Sequence, residues 1–401
     1  MRHILFILLG FVFCIPMSGQ KELKTIKRYL KDGKAREAMS LIYKLENDTA
    51  KKKTLTLYAY GKEAQLALHQ IENEKNYLNQ KYDTVAFFNT TMGIIDYILK
   101  YDSLECLQEG KSSAREENQK LLCKYYPNLN AGGRWFFKNG HFEDARKFLK
   151  KYIDIPTQSI WDIKSQDERA INNAAYLYLK SSFFLKDYKA VFTYKEQALA
   201  DSALGRDILE TLVISAMELG DTVAFKNNLK TGVRNYPKVV FFFTHLADYY
   251  NQHKEFEKSL ALADTLLMVD LENKVFMMGK SLSLMNLKEF EQSIEISKKI
   301  LAKDSTQTET YFNIGACYCN LAKGVTIPTN INSPLYKTSK EKVKTYYKEA
   351  LQYLETYRAL KPKEIEKWAP LLYRVYLNLN MGEQFEEMDQ ILQELHEGIS
   401  E

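Results

Sequence analysis

The chain has 401 residues, 45% of them hydrophobic and 27% charged, which fits a folded soluble protein and excludes a disordered one. Lys and Arg outnumber Asp and Glu by 56 to 51. The excess reads as spread along the chain, so it offers no nucleic-acid or membrane footprint. Tyr (27) and Phe (21) are plentiful while Gly (17) and Pro (8) are few, and with long amphipathic runs that means helices.

In chain order, Arg2 and His3 give a basic start, residues 4–15 are apolar apart from Gly10, and Pro16, Met17, Ser18 and Gly19 follow. About twelve apolar residues are too few for a spanning helix, which needs roughly twenty. The segment therefore reads as a secretory signal over residues 1–19, with Gln20 the first mature residue. Cys14 follows the bulky Phe13, so it does not read as a lipidation site.

Beyond the signal, residues 26–45 form a first helix pair, with Gly33 at the turn and Ala38 where the helices approach. Residues 53–101 form a second, longer pair. Residues 103–120 are polar and read as a loop or linker. Residues 132–156 restart the pattern, with Gly133, Phe136, Gly140, Phe142 and Ala145 in place. A polar spacer covers 157–168, and four regular units run to about 305.

In those units a period of 34 emerges. Residues 255–270, EFEKSLALADTLLMVD, align with residues 289–304, EFEQSIEISKKILAKD. Tyr188, Thr222, Phe256 and Phe290 recur at that spacing, each opening a second helix. Three residues on stand Val191, Phe225, Ser259 and Ser293, at close-approach positions. The segment DTVAF occurs at 83–87 and at 221–225; each copy reads as an Asp cap opening a second helix. In the eighth unit the second helix begins late, and residues 324–343, with two prolines, read as an inserted loop. Residues 366–395 make a closing pair.

Residues 310–322, TYFNIGACYCNLA, carry Tyr311, Ile314, Gly315 and Tyr318, while Pro237 and Pro362 end second helices. These residues resemble the tetratricopeptide repeat (TPR), a 34-residue helix-turn-helix unit. The resemblance implies an all-α, right-handed superhelical solenoid of about nine helix pairs, stacked because one pair cannot bury its own apolar stripe. It divides into irregular units over 20–156 and an array over 157–396. Trp368, Pro370 and Phe385, with residues 81–105, look like parts of exported tetratricopeptide proteins of Gram-negative bacteria. That likeness implies a periplasmic or cell-surface location.

No chemistry stands out. GKS at 110–112 and 279–281 lacks the upstream Gly of a phosphate loop, no HExxH, GxSxG or CxxC is present, and paired acids such as Glu386 and Glu387 read as a solvated face. His245 and His253 read as solvent-facing or turn residues. Cys317 and Cys319 read as buried small hydrophobes, and Cys106 and Cys123 could pair if their helices adjoin. No metal, cofactor or catalytic residue is expected. By the resemblance, the first helix of each unit lines a concave groove. Its candidate residues are Tyr176, Phe183, Phe241, Thr244, Asp248, Asn251, Gln252, Met278, Leu282, Met285, Phe312 and Asn320. Such an apolar strip with amide flanks suits an extended peptide or a partner helix, unless the residues pack on one another. A non-enzymatic scaffold binding a protein or peptide is the leading expectation, with glycan binding through loop and groove aromatics as the alternative.

Overall fold

The computed structural model describes residues 17–50, 52–161 and 167–398. Most of the expected signal, residues 1–16, and residues 162–166 of the spacer lie outside the described residues. Among the described residues the regular elements are all helical. They follow as α1 (Met17–Lys31), α2 (Ala35–Asn47), α3 (Leu55–Tyr77), α4 (Thr84–Glu109), α5 (Arg115–Lys138), α6 (Phe142–Asp154), α7 (Glu168–Phe184), α8 (Tyr188–Val191), α9 (Lys195–Leu199) and α10 (Gly205–Glu218). Then come α11 (Thr222–Asn235), α12 (Val240–Gln252), α13 (Phe256–Leu267), α14 (Lys274–Asn286), α15 (Phe290–Lys303), α16 (Thr308–Gly324), α17 (Pro334–Leu360), α18 (Ile365–Leu379) and α19 (Gly382–Gly398). The chain is an all-α helical-repeat solenoid, packed as two compact units that meet in sequence at Leu219 and Gly220.

The 34-residue period is visible in the backbone. Tyr188, Thr222, Phe256 and Phe290 are each the first residue of a helix. Two residues before each, the chain turns at Lys186, Gly220, Lys254 and Lys288 with φ of 57°, 68°, 57° and 67°. Where a lysine holds that place, the amides of the turn reach back to the closing helix. Lys254 N–H bonds Asn251 O at 3.0 Å and Glu255 N–H bonds Tyr250 O at 2.8 Å. The same pair of bonds recurs at Lys288 and Glu289. This closure satisfies carbonyls that a helix end otherwise leaves open. Both DTVAF copies act as expected. The Asp83 carboxylate accepts from Ala86 N–H, and Asp221 from Ala224 N–H, each at 2.9 Å.

Packing follows the apolar stripes. Phe243, Ala247, Ala263, Leu266 and Phe276 form one core of the second unit. A larger core gathers Ile314, Cys317, Tyr347, Leu354, Trp368 and Tyr376 from α16, α17 and α18. In the first unit Ile26, Ile42, Leu57, Ala64 and Tyr97 tie α1 through α4 together. At Gly232 and Gly279 a ring lies where a Cβ would be. Such a Cβ would meet Phe242 at 2.2 Å and Phe243 at 2.4 Å. Gly279 is the glycine of the second GKS, and Gly110 of the first ends α4 at φ 73°. Both have packing or turn roles.

Several expectations are corrected. Residues 103–120 are mostly helix: α4 continues to Glu109 and α5 starts at Arg115. Most polar residues there are exposed on these helices, but Glu105 and Asn118 are buried, and Glu105 is bonded within the fold. Glu105 accepts from Ser112 and Ser113, and Arg115 forks onto Asp102 at 3.0 and 2.8 Å. The restart at 132 therefore falls inside α5, which contains Pro127. The fourth second helix is broken into α8 and α9, where Tyr194 turns inward onto Tyr178 and donates to Asp154 at 2.5 Å. Phe225 is half-buried against Tyr249 and His245 instead of marking a close approach. In the insertion only residues 325–333 are non-helical. Ser333 caps α17 by accepting from Leu335 N–H at 3.3 Å, and Pro334 sits at the first helical position, where its missing N–H costs nothing. Cys106 and Cys123 are free thiols, and Cys317 and Cys319 are free and buried as expected.

Candidate functional site

The twelve candidate residues divide between the two units, and none is buried. Tyr176 and Phe183 stand seven residues apart on one side of α7 in the first unit. Burial, aided by the Asp207 carboxylate, pushes the Tyr176 hydroxyl up to about 12. Lys180 lies 5.8 Å over the Phe183 ring.

The other ten lie in the second unit on α12, α14 and α16. These are the first helices of three successive pairs, and α14 packs against both α12 and α16. Thr244, Met278 and Phe312 are 34 apart, as are Asp248 and Leu282, and Asn251 and Met285. Repeat spacing therefore brings them to equivalent places on neighbouring helices.

Their surroundings sort them. Met285 and Phe312 lean on the α16–α18 core, and the Phe312 ring sits 5.3 Å from Tyr357. Thr244 donates to Val240 O and Phe241 O, both at 3.0 Å, and Asn320 donates to Ala316 O at 2.9 Å. Those hydrogen bonds stay within the helix. The Asn251 amide oxygen is shielded and unbonded. Asp248 and Gln252 are exposed. Phe241, edge-on to His245 at 4.5 Å, together with Met278 and Leu282, leaves a half-exposed apolar strip. His245 is half-buried and His253 exposed, stacked on Tyr249 at 4.2 Å.

Two features were missed by sequence reasoning. His69 is 3% exposed, and its Nδ1 lies 3.2 Å from Phe87 O and from Thr90 Oγ1. Burial holds its pKa below the ordinary value; the Phe87 carbonyl opposes the shift and nearby Lys124 adds to it. In the first unit a cleft of about 560 Å³ opens between α4 and α6, with Met92 and Phe148 beside Asp96, Lys147, Lys151 and Asp154. Its charges pair among themselves, Lys151 with Asp96 and Lys150 with Asp154. The available signal was acids and lysines three and four residues apart within 143–154, such as Asp144 with Lys147 and Lys150 with Asp154. Among the described residues no three His, Cys, Asp or Glu side chains are placed to hold a metal ion. No helix among them is long and apolar enough to cross a membrane.

No family model and no curated protein matches this chain. Solved structures that resemble it include the C-terminal part of a TPR repeat-containing protein from Cytophaga hutchinsonii. It is 11% identical, with a TM-score of 0.38 over 65% of this chain and 98% of that one. A tetratricopeptide repeat protein from Parabacteroides merdae is 9% identical, with a TM-score of 0.28 over 72% of this chain and 93% of that one. The TPR2AB domain of yeast Sti1, in a complex with pHSP90, is 15% identical, with a TM-score of 0.26 over 80% and 95%.

Proposed function

We propose that this chain of tetratricopeptide-type helix pairs is a non-enzymatic scaffold that binds a protein or peptide along the first helices of its second unit. The observation that carries the reading is the strip of Phe241, Met278 and Leu282, half-exposed on adjacent first helices, with the open Asp248 and Gln252 beside it. Partly exposed apolar side chains beside unused polar groups can bury a partner's side chains while fixing its backbone. Tyr176 and Phe183 offer a smaller surface of the same kind in the first unit. The basic and apolar N-terminal segment supports export, to the periplasm or the surface of a Gram-negative cell.

The test is a crosslinked pull-down from envelope extract using the chain from Gln20 onward, beside a Phe241→Glu, Leu282→Glu variant of unchanged circular dichroism. A protein retained by the first and lost by the second supports the reading. Equal capture by both would remove the strip from the binding site. Thermal stabilisation by an oligosaccharide, with no protein captured, would favour glycan binding instead.

A further inference from the structure

A second surface lies on α17, in the stretch that reads in sequence as an inserted loop. Its first half exposes Lys337, Lys340, Lys342, Lys344 and Lys348 against one acid, Glu341. The overall basic excess is thus partly gathered here rather than evenly spread. Lys337, Lys340, Lys344 and Lys348 stand three, four and four residues apart, which places them along one side of the helix. Like charges four residues apart work against a helix. None of these lysines is within ion-pair reach of a described carboxylate. In the same unit Lys258, Lys274, Lys280, Lys299 and Lys303 each pair with one. Beside the ladder Ile331 and Leu335 are 69% and 66% exposed.

The complement is on the same chain. Helix α19 has no lysine or arginine. Glu383, Glu386, Glu387 and Glu394 fall on one exposed side, and only Glu387 is engaged, by Arg358 at 2.5 Å. The offsets from Glu383 are three, four and eleven residues, with Gln390 at seven. Those from Lys337 are three, seven and eleven. The two exposed sides of opposite charge coincide at offsets of three and eleven residues.

We propose that the lysine side of α17 docks on the glutamate side of α19 in a second copy of this chain. A two-fold pair makes the contact twice, because each copy presents both sides. Ile331 and Leu335, next to the ladder, supply apolar area that solvated ion pairs lack. The inference is independent of the strip on α12 and α14.

Sedimentation velocity on the intact chain tests it. The expected result is a dimer at low ionic strength whose dissociation constant rises roughly tenfold or more at physiological salt. Lys340→Glu with Lys344→Glu, and separately Glu386→Lys with Glu394→Lys, each give a monomer of unchanged helix content. An equimolar mixture of the two variants dimerises again, because in the mixed pair one contact keeps its native charges and the other is restored with reversed sign. A monomeric wild type at low salt, a dimer that survives either reversal, or a mixture that stays monomeric overturns the proposal. So does co-sedimentation with phosphatidylglycerol vesicles that is lost in the lysine variant and kept in the glutamate variant, which would make a membrane surface the ladder's partner.

Discussion

The ring of Phe243 occupies the space that a side chain at Gly279 would need: a Cβ there would stand 2.4 Å from its Cζ. Phe243 is 2% exposed and held edge-on to Phe276 at 4.9 Å, so the ring has little freedom to retreat. Replacing glycine by alanine within a helix gains about 0.5–1 kcal/mol, whereas overpacking a core costs about 1–3 kcal/mol. The cost should win. Gly279→Ala is expected to lower stability by about 1–2 kcal/mol in urea unfolding, and a gain in stability would show that the ring moves freely.

The turns give the opposite sign. Lys254 and Lys288 adopt left-handed backbone with φ of 57° and 67°, at places equivalent to Gly220. An L side chain there costs about 1–2 kcal/mol, offset in part by the unfolded freedom that glycine adds. Lys254→Gly and Lys288→Gly should each stabilise by about 0.5–1 kcal/mol. Lys254→Val should destabilise, since its branched side chain clashes most in that conformation. Thermal midpoints of the three variants check the order.

Asp83 and Asp221 each cap a helix through one backbone N–H at 2.9 Å. Replacing either with alanine should cost about 1 kcal/mol, and replacing it with asparagine or serine much less. If all these variants melt together, the caps contribute nothing.

His69 sets a pH dependence in the first unit. Its folded pKa lies below the ordinary histidine value of about 6.5, chiefly because burial penalises the charged ring. A depressed histidine favours the folded state fully above about 6.5 and loses that contribution as pH falls through the folded value. Stability should therefore decline on acidification from neutral pH. His69→Gln should flatten the decline between about pH 6.5 and the folded pKa, read from unfolding midpoints against pH; an unchanged slope would assign it to other groups.

Helix starts were legible wherever the chain repeats itself: Tyr188, Thr222, Phe256 and Phe290 each open a helix, because the same stripe must meet the same neighbour every 34 residues. Polarity misled where acids are satisfied inside the fold. Glu105 and Arg115 read as loop residues, yet Ser112 and Ser113 hold Glu105 3% exposed, and Arg115 forks onto Asp102, 5% exposed. Local sequence cannot show a partner that arrives from the next helix. The twelve candidate positions came from the likeness to the repeat family, which could not say how far each is covered by its neighbours. Met285 and Phe312 are taken up by the core, while Met278 and Leu282 stay partly open.

The sequence by itself determined the helical class, the period, the caps at Asp83 and Asp221 and the glycine turns, because all of these depend on residues close along the chain. Tertiary structure alone decided how far α4 and α17 extend, where α8 gives way to α9, and which side chains remain uncovered. Those outcomes rest on contacts between residues distant in sequence, such as Tyr194 with Asp154 and Phe312 with Tyr357. Burial is a property of the neighbour as much as of the residue.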